Sequence, residues 1–265
     1  MTRTISNSIA GILQELELER PLLLTSEHLY NLKRKYHIAS SVEVIAARLK
    51  EKGWLISTDR QGVWEFVPAE AAGTYSTNDP LLAFRAFHVK YPAVKCALTL
   101  HTAAWVYGDS DRAPSTVHVS VEDYKHTRPL KGHVAVSVFR PKLMTQLISN
   151  VPILARESII VQMSVKPSSV HYWASVAEWL PNFCSELSYD KVSEELLDRP
   201  IYASQRLGYL IQGTRPDIAD ELRKGIKPIS NAWFGDRKRS FRYDKRFMVA
   251  DSLLPFDPKE LGKNK

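Results

Sequence analysis

The side chains that could do chemistry are distributed in ways that exclude most of it. Histidines stand at His28, His37, His88, His101, His118, His126, His133 and His171, and none lies in a His-Glu-x-x-His pattern. Cys96 and Cys184 have no partner at metal-ligand spacing, and two cysteines make no disulfide framework. There is no Gly-x-Ser-x-Gly turn for a serine nucleophile, and the 11 glycines form no loop that would cradle a phosphate. A metal-dependent nuclease would need paired carboxylates and a lysine at strand ends. Asp236-Arg237-Lys238 meets only the loosest form of that pattern, in a basic stretch that reads as a solvated loop. His101 and Trp105 fall on one helix and are expected in the core. The residues therefore predict no catalytic group, no metal and no cofactor.

What remains is the binding of polyanions. The formal net charge is +7, and residues 223–265 alone, with 12 Lys/Arg against 5 Asp/Glu, equal that excess. Six of these cations, Arg237, Lys238, Arg239, Arg242, Lys245 and Arg246, interleave with Phe241 and Tyr243. That pattern suits contact with a phosphate backbone, with Arg237, Arg239 and Arg242 as candidates. Apolar residues at Phe241, Tyr243 and Phe247 suit equally a terminal strand with a basic outer face. Its charges could then pair with Glu186, Glu194, Glu195 and Asp198.

A second basic face is hidden in the neutral first 70 residues. Between His28 and Gly62, Lys33, Arg34, Lys35, Arg48, Lys50, Lys52 and Arg60 stand against Glu43, Glu51 and Asp59. The elements that would position them are legible. Ile9, Ile12, Leu13, Leu16 and Leu18 predict a first amphipathic helix ended by Pro21. Thr25 caps a second helix carrying Leu29, Leu32 and Tyr36. Ser40 and Glu43 have capping-box spacing, and Val42, Ile45, Ala46 and Leu49 then form one buried stripe that Gly53 terminates. Apolar runs at 54–57 and 63–67 flank Thr58-Asp59-Arg60-Gln61-Gly62, a hairpin.

Three helices followed by a hairpin predict a winged helix-turn-helix. The face opposite the stripe then places Ser40, Ser41 and Val44 near base edges, with Arg48 one turn later. Arg60 and Gln61 at the wing, and Lys33 and Lys35 from the preceding helix, become phosphate candidates. The competing view is a protein-interaction module with ordinary solvated charges.

Beyond residue 70 the pattern is mixed. Asp79-Pro80 opens a helix with Leu81, Leu82, Phe84 and Phe87, and Thr99 caps a short one ending at Gly108. Strands are expected at 117–121 and 133–139, and helices over 170–224. The fold class is α+β: a winged helix-turn-helix over residues 1–70 and a mixed α/β domain over 71–265. Hydrophobic residues make up 44% of the chain, enough for a packed core. No run approaches the roughly 18–20 apolar residues of a membrane span. A reducing cytoplasm is the expected compartment, with no membrane partner.

A winged helix followed by this second domain resembles, over roughly residues 1–250, the AbiEi-type antitoxins of type IV toxin–antitoxin systems. Gly73-Thr74-Tyr75 follows the winged helix as that family's Gly-x-Tyr does. Leu98-Thr99-Leu100-His101-Thr102-Ala103-Ala104-Trp105-Val106-Tyr107-Gly108 resembles its Leu-Ser-x-x-Ser-Ala-Ala-x-x-x-Gly helix. Arg156-Glu157-Ser158-Ile159-Ile160 resembles its Glu-Arg-Thr-Leu segment, and Arg206-Leu207-Gly208-Tyr209-Leu210 its Arg-Leu-Gly-Tyr-Leu helix. The resemblance implies a non-enzymatic antitoxin whose winged helix represses its own promoter at operator repeats in double-stranded DNA. It implies a C-terminal domain that counteracts a nucleotidyltransferase-like toxin, functionally if not through a stable complex. Two other readings stay open: a stand-alone winged-helix regulator whose second domain binds a ligand or mediates assembly, and a nuclease targeted by its winged helix.

Overall fold

A computed structural model describes residues 9–71, 79–123, 134–227 and 230–262. Gly73-Thr74-Tyr75, His126 and His133 lie outside the described residues. The chain divides into two compact units, Met1–Val94 and Lys95–Lys265.

The first unit is a winged helix. Helix α1 (Ala10–Glu19) buries Ile12, Leu13 and Leu16. Leu18, expected on the same stripe, is 79% exposed, because it is two residues from Leu16 and so on the opposite side of the helix. Strand β1 (Leu23–Thr25) leads into α2 (Ser26–Lys35), whose first turn is capped by the Thr25 hydroxyl accepting from the His28 amide at 3.0 Å. Helix α3 (Val42–Glu51) buries Ile45, Ala46 and Leu49, as the stripe requires. Its cap is Ser41 rather than Ser40. Ser41 holds the extended conformation that precedes the helix, and its Oγ accepts from the Val44 amide at 3.4 Å. Gly53, at φ 75°, closes α3: its amide donates to Lys50 O and that of Trp54 to Leu49 O. Strands β2 (Leu55–Ser57) and β3 (Val63–Phe66) form the wing, and β1 adds to the far edge of β3 to give the order β1-β3-β2.

The unit does not end at residue 70. The turn at 69–71 is tied back to α1 by Glu17 Oε1, which accepts from the Ala69 amide at 2.7 Å, and by Arg20 paired with Glu70. Helix α4 (Leu82–Lys90) then packs on β1 and β3, burying Phe84, Ala86 and Phe87, and Asp79 holds its start through the Leu81 amide and Arg85. Apolar burial by this helix moves the boundary to about residue 94.

The second unit is built on a five-stranded mixed sheet of order β6-β5-β4-β8-β7. These are β4 (Cys96–Leu98), β5 (Val117–Val121), β6 (Val134–Val138), β7 (Gln146–Ile148) and β8 (Val151–Ile153). All five residues of β5 are buried, since an internal strand covered on both faces has no solvent side. Helix α5 (Leu100–Val106) follows β4 directly. Thr99 precedes it, but its hydroxyl donates to Gln162 Oε1 at 2.6 Å instead of capping α5.

Helix α6 (Arg156–Val165) is buried over eight consecutive residues. Around it come α7 (Trp173–Ser185), α8 (Tyr189–Leu196), α9 (Ile201–Ile211) and α10 (Pro216–Gly225). A small sheet of order β10-β11-β9 finishes the unit, from β9 (Ala232–Phe234), β10 (Arg242–Asp244) and β11 (Val249–Asp251). It seats on α9 at Gly208, where a Cβ would come within 2.2 Å of the Phe247 ring. No helix among the described residues is long and apolar enough to cross a membrane.

A fragment of residues 1–94 is expected to unfold cooperatively, and one of residues 1–70 to melt well below it. Phe87→Ala in the longer fragment should lose about 3–5 kcal/mol. Equal melting temperatures for the two fragments, measured by calorimetry, would return the boundary to residue 70.

Candidate nucleic-acid interface

Burying one stripe of α3 determines what the opposite side presents. Ser41, Val44 and Arg48 are exposed there, Val44 at 41%, with Ser40 half-buried at the entry. Glu43 also faces solvent. Hydrogen bonds from its own backbone amide and then from Ser41 hold its carboxyl below the usual range, so it belongs to the cap. Among the described residues Arg48 makes no side-chain hydrogen bond or ion pair, so its guanidinium is available. The α2–α3 arrangement thus brings Ser40, Ser41, Val44 and Arg48 onto one face, with Lys33 half-buried at the end of α2.

Two other candidates are already engaged. Lys35 Nζ lies 2.8 Å from Glu15 Oε1, and the Tyr36 hydroxyl donates to Glu15 Oε2 at 2.7 Å. Gly11 makes room for this, because a Cβ there would meet the Tyr36 ring at 2.5 Å. Hydrogen bonds from Lys35 and then Tyr36 hold the Glu15 carboxyl below its ordinary value, and the bond that Lys35 donates to Glu15 raises Lys35. Arg34, between two residues singled out by sequence and itself passed over, is exposed and makes no side-chain hydrogen bond or ion pair among the described residues.

At the wing, Thr58 Oγ1 accepts from the Arg60 amide at 3.1 Å and donates to Val63 O at 2.8 Å. Gly62, at φ 77°, completes the turn and leaves Gln61 exposed at the tip. Arg60 folds back instead: its side chain is only 15% exposed, pairs with Asp59 at 3.2 Å, and lies over the Phe87 ring at 5.5 Å. That geometry belongs to a packed residue.

The basic segment 237–246 divides in the same way. Arg242 Nη1 donates to buried Asp251 at 3.0 Å, to the Tyr209 hydroxyl and to Phe256 O. Arg246 pairs with Asp220. Arg237 to Arg239 form a short 3₁₀ turn capped by Asp236, with Arg239 86% exposed and Arg237 5.5 Å from the Trp233 ring. The segment does not pair with the acids named from sequence: Glu195 binds Arg199, and Asp198 binds Lys142. Both aromatic residues of the segment face outward, Phe241 at 64% and Tyr243 at 48% exposed, while Phe247 just beyond it is buried.

The Glu15 carboxyl should titrate below the ordinary glutamate range, and Tyr36→Phe should move it back toward that range. A lowered folded value means that this small contribution to stability is present above the unfolded pKa and fades as pH falls through the folded one. A Glu15 carbon resonance that titrates alike in both proteins would remove the triad.

Residues 93–213 match the model of the AbiEi antitoxin C-terminal domain. No curated protein matches the chain. Among solved structures, the crystal structure of the Rv2827c protein from Mycobacterium tuberculosis superposes with a TM-score of 0.78 at 21% identity, covering 100% of this chain and 97% of that one. At that identity the likeness speaks for a shared fold. The sequence's resemblance to the AbiEi-type antitoxins is borne out by a family match that covers most of the C-terminal unit.

Proposed function

We propose that the chain is a non-enzymatic, DNA-binding antitoxin that represses its own promoter and counteracts a nucleotidyltransferase-like toxin. The observation that carries the DNA half is the exposed face of α3, where Ser41, Val44 and the unpaired Arg48 stand opposite the buried Ile45, Ala46 and Leu49. In a helix-turn-helix that is the face that enters the major groove. Ser41 would bond to a base edge or phosphate, Val44 would meet a thymine methyl, and Arg48 a guanine or phosphate. Lys33 and Gln61 flank that face as backbone contacts, and Ser40 supports its entry. Arg34 joins them as a phosphate contact. Lys35 is available at the cost of its bond to Glu15, and Arg60 serves by holding the wing on α4. The match to an antitoxin domain supports the second half.

In the C-terminal unit, Arg237 and Arg239 are the phosphate candidates, with Lys238 between them. Arg242 has its donors committed to Asp251, Tyr209 and Phe256, so its part is to hold the segment in place. The expected compartment is the cytoplasm.

Arg48→Ala should weaken promoter binding in mobility shifts. If Arg48 contacts a phosphate, the slope of log affinity against log salt falls by about 0.9; if it contacts a base, on the order of 1–3 kcal/mol of operator preference is lost. Replacing Arg237, Lys238 and Arg239 together by alanine should lower the salt slope by up to ~2.7. Arg242→Ala should instead cost about 3 kcal/mol of stability, because it removes the cation that pairs with the buried Asp251 carboxylate. Unchanged promoter affinity in Arg48→Ala sinks the interface. Co-expression with the neighbouring reading frame, scored by growth, tests the antitoxin half; failure to rescue from a toxic nucleotidyltransferase overturns it.

A further inference from the structure

The C-terminal unit contains a cleft of about 830 Å³ that DNA binding leaves unused. Its polar wall is gathered from separate elements: His101 from α5, His118 from β5, Arg112 from the loop before β5, and His171 from the approach to α7. Its apolar wall includes Leu100, Val134 and Trp179. Leu100 makes the sharp passage from β4 into α5 at φ 50°, a left-handed conformation unfavourable for a residue with a Cβ. Among the described residues, the titratable groups lining the cleft are the three histidines, Arg112, Tyr172 and one carboxylate, Glu178 of α7, and β6 contributes Val134 and Ala135.

Hydrogen bonding decides which ring nitrogens carry protons. An indole N–H can only donate, and Trp179 Nε1 lies 2.9 Å from His101 Nδ1, so the hydrogen of neutral His101 is on Nε2. Thr102 Oγ1 accepts from the His118 backbone amide at 2.8 Å, which leaves its own hydrogen for His118 Nδ1 at 3.4 Å. With Thr102 as donor the hydrogen of neutral His118 is on Nε2, which has no partner among the described residues. The residue is only 9% exposed, and its ring centroid is 6.0 Å from that of His171. Among the described residues the site thus holds three imidazoles, one of them with its N–H oriented by Trp179, and an arginine, against one carboxylate.

We propose that this cleft binds a small molecule that joins one anionic group, a carboxylate or a phosphate, to an apolar body. The anion meets Arg112 and the imidazoles of His101, His118 and His171, and the body lies along Leu100 and Trp179. Burial holds His118 down at about 4, with His101 and His171 adding repulsion, and burial likewise lowers His101. An incoming anion offsets that penalty and favours protonated rings, so binding takes up protons and tightens as pH falls from 8 to 6. Glu178 lies on the same lining and opposes the anion.

The histidine ring carbon–proton resonances of the full chain report the site. Titrations with benzoate, phenyl phosphate and inorganic phosphate are run at pH 6 and pH 8. The expected result is a saturable shift of His101 and His118 with benzoate or phenyl phosphate, and whichever saturates at lower concentration identifies the head group. Inorganic phosphate, lacking the apolar body, should bind about tenfold more weakly than phenyl phosphate. Arg112→Ala, at an exposed position that leaves the core intact, should weaken binding about tenfold or more. His118→Gln should flatten the pH dependence. No saturable shift with any of the three, equal binding by Arg112→Ala, or equal affinity for phenyl and inorganic phosphate overturns the proposal. None of these readouts involves DNA, so its failure leaves the function proposed above untouched.

Discussion

Helix α6 carries polar side chains into a place without water, and much of the C-terminal unit is arranged to receive them. Glu157 accepts from the Ser188 amide at 3.1 Å at the start of α8. Ser158 donates to Glu195 Oε2 at 2.7 Å, and that fully buried carboxylate also takes the Lys142 and Leu143 amides and Arg199. Gln162 joins Thr99 before α5 to Ser137 of β6. Each is a strong local preference: a buried polar group without a partner costs about 1–3 kcal/mol, more if charged. The sheet, α8 and the loop after β6 are thereby held to one arrangement around α6. Apolar packing alone would tolerate several.

The winged helix relies on the reverse economy. Its interior is almost wholly aliphatic and aromatic, and polar side chains act at the edges, where Thr25, Ser41 and Asp79 satisfy the first turns of helices. Charge is sorted by that geometry. Arg48 is left free because its neighbours on α3 bury the other side. Lys35 and Arg60, close in sequence to good candidates, are held by Glu15 and by Phe87.

Elements whose signal is local were readable from sequence. The α3 stripe, the Thr25 cap, Gly53 and the wing all follow from spacing within ten residues. The cap of α3 slipped by one because Ser40 and Ser41 are chemically equivalent and only the backbone path distinguishes them. The sequence pattern closes the first unit at residue 70, whereas the compact unit runs to Val94, because the surface that α4 covers is on β1 and β3, some 60 and 20 residues earlier. The fate of the basic segment was hidden for a similar reason: Asp251 and Asp220 become partners only once the small sheet and α10 are in place. His101 was expected in the core. Its ring instead accepts from Trp179, 78 residues away, and borders the cleft.

Gly208 makes the family motif of α9 incomplete on its own. The matched region ends at residue 213, yet the hollow over Gly208 is filled by Phe247, 34 residues beyond that end. Tyr209, the next residue, finishes its hydrogen bonding at 2.8 Å on Asp251, also outside the match. The segment recognised as a domain therefore draws part of its packing and hydrogen bonding from beyond its own end. Cut at its own boundary, it would expose a phenyl-sized vacancy and an orphaned phenol on one face of α9, and the tail that follows is part of its interior.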